Sequence, residues 1–119
     1  MGTRLLAAVL AVAAAASTAA AARSDVRIEG VVGRPDPPRA GVPFELSGRV
    51  LFTGGGYSIH CRVFVGGRRY RNVRLVWDGT TARCFFAVPA RAGGKRLSVA
   101  LVASQGGSRA RTTHAYRIG

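Results

Sequence analysis

Glycine clusters interrupt this chain at a nearly regular interval, and that punctuation restricts its fold more than any other feature. They fall at 54–56, 66–67, 93–94 and 106–107, with Asp78-Gly79 between the second and third. Turn signals about every 12 to 15 residues, separating runs rich in Val, Leu, Phe, Tyr and Thr, mark a succession of short strands. No run keeps an apolar period of 3.6 residues long enough to compete as a helix. The pattern predicts seven strands, over residues 25–32, 43–52, 58–65, 69–76, 81–88, 95–103 and 110–118, and hence an all-β domain.

Alternation assigns faces to these strands, because successive strand side chains point to opposite sides. The second run sets Phe44, Leu46, Val50 and Phe52 on one side and Glu45, Ser47 and Arg49 on the other. The first gives Val26, Ile28 and Val32 inward with Arg27 and Glu29 outward, and the sixth gives Leu97, Val99 and Leu101 inward with Arg96 and Ser98 outward. Strands with one apolar and one polar face are antiparallel strands half-buried against a core.

Upstream of the strands, Arg4 precedes an apolar run from Leu5 to Ala16, and small residues end at Ala20-Ala21-Ala22 before Arg23. Charged, apolar and small-residue regions in that order are those of a secretory signal peptide. The competing reading is an anchoring helix extended through Ser17 and Thr18 to Ala22, but most of the run is alanine, which is only marginally apolar. We expect a signal peptide at 1–22, cleavage after Ala22 and one domain at 23–119, secreted or held at the cell envelope with no transmembrane anchor after cleavage.

Such a domain is small enough to profit from a cross-link. The chain has two cysteines, Cys61 and Cys84, and in an exported protein a disulfide is the economical reading, against a metal pair or a reactive thiol. Parity agrees: Cys61 shares its face with Ile59, Val63 and Val65, and Cys84 shares its face with Ala82, Phe86 and Val88, so both sulfurs point into the core. The bridge constrains topology as well. Gly66-Gly67 and Asp78-Gly79 suggest hairpins on either side of the fourth run. If both hairpins lay in one sheet, the third and fifth runs would be two strand spacings apart, near 9.6 Å, whereas bridged Cα atoms lie within about 7 Å. The fourth strand should therefore cross between sheets around Arg74 to Trp77, and the disulfide should join the two sheets.

Several segments together have a familiar pattern: the first strand, PPRAGVPFELSGRV at 37–50, a glycine-rich turn, CRVFVGGRRY at 61–70 and CFFAVPARAGGKRLSVALV at 84–102. They resemble the bacterial immunoglobulin-like domains called CARDB, the cell-adhesion-related bacterial domain, and their fibronectin-like relatives. The resemblance covers about 25–103 and implies a seven-stranded immunoglobulin-like β-sandwich. In it the first, second and fifth strands form one sheet and the third, sixth and seventh the other. It supplies no catalytic residues, and this chain departs from it in its cysteine pair and in the expectation of a single domain. Abundant Ala, Gly and Arg, with Lys95 the only lysine, suits a GC-rich bacterial genome and weakens any argument that Arg was chosen over Lys for bidentate recognition.

Chemistry-bearing constellations are sparse. The histidines are His60, outward on the third run, and His114, and the acids are Asp25, Glu29, Asp36, Glu45 and Asp78. Asp78 is explained as a turn residue before Gly79. No helix follows a glycine pair to cradle phosphate. Copper carriage needs Met or His clusters, and the only Met is Met1. Tyr57, Tyr70, Trp77 and Tyr116 could stack on a sugar, with core or crossover packing the competing role for Trp77. No metal and no cofactor is expected.

Charge is the remaining lead. Lys and Arg outnumber Asp and Glu by 18 to 5, and such a chain attracts polyanions. Outward positions on the third, sixth and seventh runs supply Arg62, Arg96, Arg111 and Arg117 without an acid, with Arg69, Arg71 and Arg74 on the adjoining fourth. The first, second and fifth runs mix Arg27, Arg49 and Arg83 with Glu29 and Glu45. The competing reading is a solvated face in an arginine-rich chain. We therefore expect a non-enzymatic binding or cell-envelope-associated module, whose candidate binding face is Arg62, Arg96, Arg111 and Arg117. Its partner would be an anionic cell-envelope polymer or another exported protein, with no specific nucleic acid. The alternatives are a structural module that adds a strand to a partner through a sheet edge and a small secreted enzyme.

Overall fold

The computed structural model describes residues 25–119, and the expected signal segment at 1–22 lies outside them. Eight strands form: β1 (Arg27–Arg34), β2 (Pro43–Leu51), β3 (Tyr57–Val65), β4 (Arg68–Tyr70), β5 (Arg74–Trp77), β6 (Thr81–Ala87), β7 (Arg96–Gln105) and β8 (Ser108–Arg117). They build two antiparallel four-stranded sheets, ordered β1-β2-β6-β5 and β4-β3-β7-β8. The strand groupings expected from the resemblance hold, each extended by one short strand.

Those two short strands account for the count of eight instead of seven. The fourth run divides: β4 pairs with β3 through Val63 opposite Tyr70, and β5 pairs with β6 through Leu75 opposite Cys84. The chain changes sheets over 71–73, so Arg74–Trp77 already belong to the second sheet. Cys61 on β3 and Cys84 on β6 are bonded, with Cα atoms 6.3 Å apart. The crossing and the inter-sheet bridge are therefore both present, and the distance argument placed the crossing only a few residues late.

Val32 departs from its expected face. Register between β1 and β2 shifts between Glu29 and Val32, where Gly30 adopts φ 62°, a left-handed conformation natural to glycine. A bulge of one residue inverts every later face. Val31 consequently packs against the core, while Val32 is 44% exposed. Gly33 also turns inward, where an added Cβ would meet the Tyr116 hydroxyl and sit 2.8 Å from Phe44 Cζ. Only glycine fits there without displacing the core.

The core is one cluster fed by both sheets. Phe44, Leu46, Val63, Cys84, Leu97, Val99 and Leu101 are almost wholly inaccessible, and each fully buried side chain of this size contributes about 1.5–3 kcal/mol. Phe44 packs on Phe86 and, edge to face at 5.2 Å, on Tyr116. Burial is the main reason that the Tyr116 hydroxyl is pushed above the usual phenol range, with the Asp36 charge adding to it.

Gln105, at the end of β7, is the exception inside this interior, and it organises the glycine-rich end of the sandwich. Its Oε1 accepts from the Thr53 backbone N–H at 3.1 Å and from the Thr53 hydroxyl at 3.4 Å, and its Nε2 donates to the Gly55 carbonyl at 2.8 Å. Thr53 and Gly55 are exposed, so water can take over part of these bonds, and Gln105→Ala should cost about 0.5–1.5 kcal/mol. Amide exchange at Thr53 to Gly56 should rise more than elsewhere, and an unchanged exchange pattern would show that the loop holds itself.

The four sheet edges are unequal. β4 and β5 span three and four residues, and β1 is bulged. β8 is ten residues long and pairs with β7 in one unbroken register from Arg96–Arg117 to Gln105–Ser108. Among the described residues no strand pairs with its other side.

Candidate functional site

The outer face of the β4-β3-β7-β8 sheet follows from its register. Rows across it read Arg62–Ala100–Thr113, His60–Val102–Arg111 and Ser58–Ser104–Arg109, with Arg69 beside Phe64 and Arg96 opposite Arg117. The four arginines singled out in the sequence thus share one face. Arg109 joins them. It was missed because the expected strand began at residue 110, whereas Gly106-Gly107 closes a two-residue turn and Ser108 already pairs with Gln105.

Two of the expected neighbours lie elsewhere. Arg74 is on β5, beside Phe85 on the outer face of the opposite sheet, and Arg71 lies in the crossing at 71–73. Both follow from the split of the fourth run: once the chain has changed sheets, the outward side of β5 is the outward side of the other sheet.

Burial shows how the face is built. Ala100 and Val102 point outward from β7, yet they are 2% and 1% exposed. Larger side chains flank them in register on both sides, Arg62 and Thr113 beside Ala100 and His60 and Arg111 beside Val102. Arginine stems lie over apolar surface while the guanidinium heads stay in water. The face thus has buried small apolar residues on β7 with arginines on the strands at either side. Ser58 and Ser104 hydroxyls close the next row at 2.8 Å.

The electrostatics of the two faces differ. None of Asp25, Glu29, Asp36, Glu45 and Asp78 lies on β3, β4, β7 or β8. Like charges directly opposite one another on paired strands destabilise the sheet, and Arg96 stands opposite Arg117. One Arg117 nitrogen, Nη1, donates to the Gly94 carbonyl at 2.8 Å, which orients the head without neutralising it. The opposite sheet instead sets Glu29 beside Arg49 and Glu45 within 3.5 Å of Arg83. It also holds a depression of about 550 Å³ floored by Phe85 and Ala87, with Arg34, Glu45 and Arg74 around it.

The other candidates separate in space. His60 is exposed on the outer face, whereas His114 is opposite Val99 on the inner side of β8, bonded to the Thr112 hydroxyl at 2.6 Å. They do not converge on a common point. Tyr57 and Trp77 do meet: the indole N–H donates to the Tyr57 hydroxyl at 3.0 Å, and Phe52 stacks on Tyr57 with ring centres 4.1 Å apart. Tyr70 and Tyr116 pack separately on Phe86 and Phe44. The aromatics are thus mostly partners of one another across the two sheets, which matches the packing role weighed for Trp77. Asp78 Oδ1 accepts from the Thr81 and Thr80 backbone N–H groups at 2.7 and 2.9 Å. Those two bonds, with the Thr80 hydroxyl, hold its carboxyl below the usual range, as befits a turn residue.

No protein-family model and no curated protein matches the chain. Among solved structures it is similar to the N-terminal eight immunoglobulin domains of Down syndrome cell adhesion molecule. The TM-score is 0.55 at 12% identity, over 80% of this chain and 12% of that one. A complex of titin M10 with the obscurin-like 1 immunoglobulin domain aligns at a TM-score of 0.47 and 19% identity, over 67% of this chain and 80% of that one. At such identities the likeness is one of fold. The domain is an immunoglobulin-like β-sandwich, and it spans only a small part of the adhesion molecule's length.

Proposed function

We propose that this domain is an exported, non-enzymatic binding module that holds an anionic partner on the β4-β3-β7-β8 face. The observation that carries the reading is the layer of arginines on that face: Arg96 and Arg117 stand opposite each other and no acid lies on any of its four strands. Such an arrangement is relieved by an external anion. Export is supported by the disulfide, which belongs to oxidising compartments, and by the signal-like order of residues 1–22. A binding role suits the sandwich, which many cell-surface domains share, although the fold by itself does not assign one.

The test compares two triple reversals that alter net charge equally. Changing Arg62, Arg96 and Arg111 to Glu should weaken binding to a linear polyanion such as polyphosphate by at least about tenfold at about 0.1 M salt, because several charge contacts are lost together. Changing Arg27, Arg49 and Arg83 to Glu should weaken it by no more than about threefold. Thermal unfolding of both variants checks that each is folded. Equal losses would mean that total charge alone matters, and the proposed face would then be a solvated surface.

A further inference from the structure

We infer that the open edge of β8 takes up an extended acidic segment of a partner protein as an additional strand. The inference rests on the basic-face reading and gives that face a partner. Three observations converge on it. The edge is long, with ten residues in unbroken register and no bulge, whereas β4 and β5 are too short and β1 too distorted to serve as templates. Between Arg109 and Arg117 its peptide groups on that side have no strand partner among the described residues, and the stretch is bounded where the Ser108 hydroxyl accepts from the Val26 N–H at 3.1 Å and where Gly119 bonds to Pro38 and Ala40. Every second side chain along it is on the arginine-rich face, in the order Arg109, Arg111, Thr113, Ala115, Arg117.

A strand laid against this edge sits about 4.8 Å away, with its own side chains alternating between the two faces. Its outward residues fall opposite Arg109, Arg111 and Arg117, where acids form opposite-charge cross-strand pairs. Its inward residues continue the row of half-buried Ala110, Thr112, His114 and Tyr116, where small or β-branched residues fit. The segment that matches is therefore one alternating Asp or Glu with Val, Thr or Ala.

Arginines on an edge also deter unwanted pairing, and here the deterrent falls on copies of the same chain. Antiparallel pairing of two β8 strands about Thr113 sets Arg109 opposite Arg117 twice, and every register continues one acid-free face into another. An acidic strand is the partner for which the same charges become attractive, so the edge discriminates by sign.

A synthetic peptide of about twelve residues alternating Glu and Val is the probe, titrated into the oxidised chain with amide shifts and amide exchange followed by NMR. Two controls accompany it: a peptide of the same composition with its glutamates in one block, and the alternating peptide N-methylated on the nitrogens that face β8. The alternating peptide should bind at least about tenfold more tightly than either control, and alternate β8 amides should gain exchange protection. If all three bind alike and β8 gains no protection, the edge is not used and the inference fails while the basic face stands. If none binds and polyphosphate is not held either, the basic-face reading fails with it.

Discussion

Replacing Cys61 and Cys84 together by alanine should lower the stability of this domain by about 3.4 kcal/mol, the chain-entropy value for a closed loop of about 24 residues. A domain of about 95 residues has only some 5–14 kcal/mol in all, so the loss is a substantial fraction. It corresponds to a fall in Tm of roughly 14–27 °C, at about 4–8 °C per kcal/mol for domains of this size. The position argues for the full effect: Cys84 has no exposed surface, and the bridge joins strands of different sheets whose only other covalent connection nearby is the crossing at 71–73. Thermal unfolding of the oxidised protein and of the double alanine variant, followed by circular dichroism, reads the difference. A shift of less than about 4 °C would mean that the packed sheets already hold β3 and β6 together, and that the bridge adds little.

Leu101→Ala should have an effect of similar size, about 2–5 kcal/mol, because it removes buried carbons and leaves a cavity that its surroundings must close. Leu101 is fully buried opposite Cys61, and Leu46 is fully buried opposite Cys84. They lie on β7 and β2, the strands that antibody domains join by their own disulfide. In this chain the covalent link joins β3 and β6 instead, and leucines occupy the central strands. A Cβ placed on Gly48 would sit 3.0 Å from Leu101 Cδ2 and 3.2 Å from Val31 Cγ2, so the β2 backbone is already close and cannot collapse much further. A fall in denaturant midpoint at constant m-value is the expected signature. Gly48→Ala should also be less harmful in the Leu101→Ala background than alone, since its methyl then enters space already vacated. Additive losses would show that the two sites do not share that space.

Much of the architecture was legible because the alternation is clean where it matters. Phe44, Leu46 and Val50, and likewise Leu97, Val99 and Leu101, read as inward faces and are buried. The sheet change was legible for a different reason: a Cys61–Cys84 bond is incompatible with two strand spacings in one sheet. Its place was less clear, since Arg71-Asn72-Val73 contains neither glycine nor proline to mark the break. Val32 was misassigned because a bulge inverts parity, and Gly30 alone was the signal for it. The arginine face followed from parity on β3, β7 and β8. Arg74 was misassigned because it lies past the break, and Arg109 was lost because the length of the turn at Gly106-Gly107 was misjudged. Nothing in the spacing announced the role of Gln105, since a polar residue at the end of an apolar strand looks like the onset of a loop.

The bridge between sheets also determines how this domain responds to tension. Cys61 and Cys84 are 23 positions apart, and residues between them cannot extend when the chain is pulled from its ends. At about 3.3–3.6 Å per residue, that withholds roughly 80 Å of contour length. The withheld part contains β4, β5 and the crossing, so a stretched molecule would unravel β1, β2, β7 and β8 while a covalently closed remnant persists. Reduction would release that reserve, which makes the extensibility of the domain a function of the redox state around it.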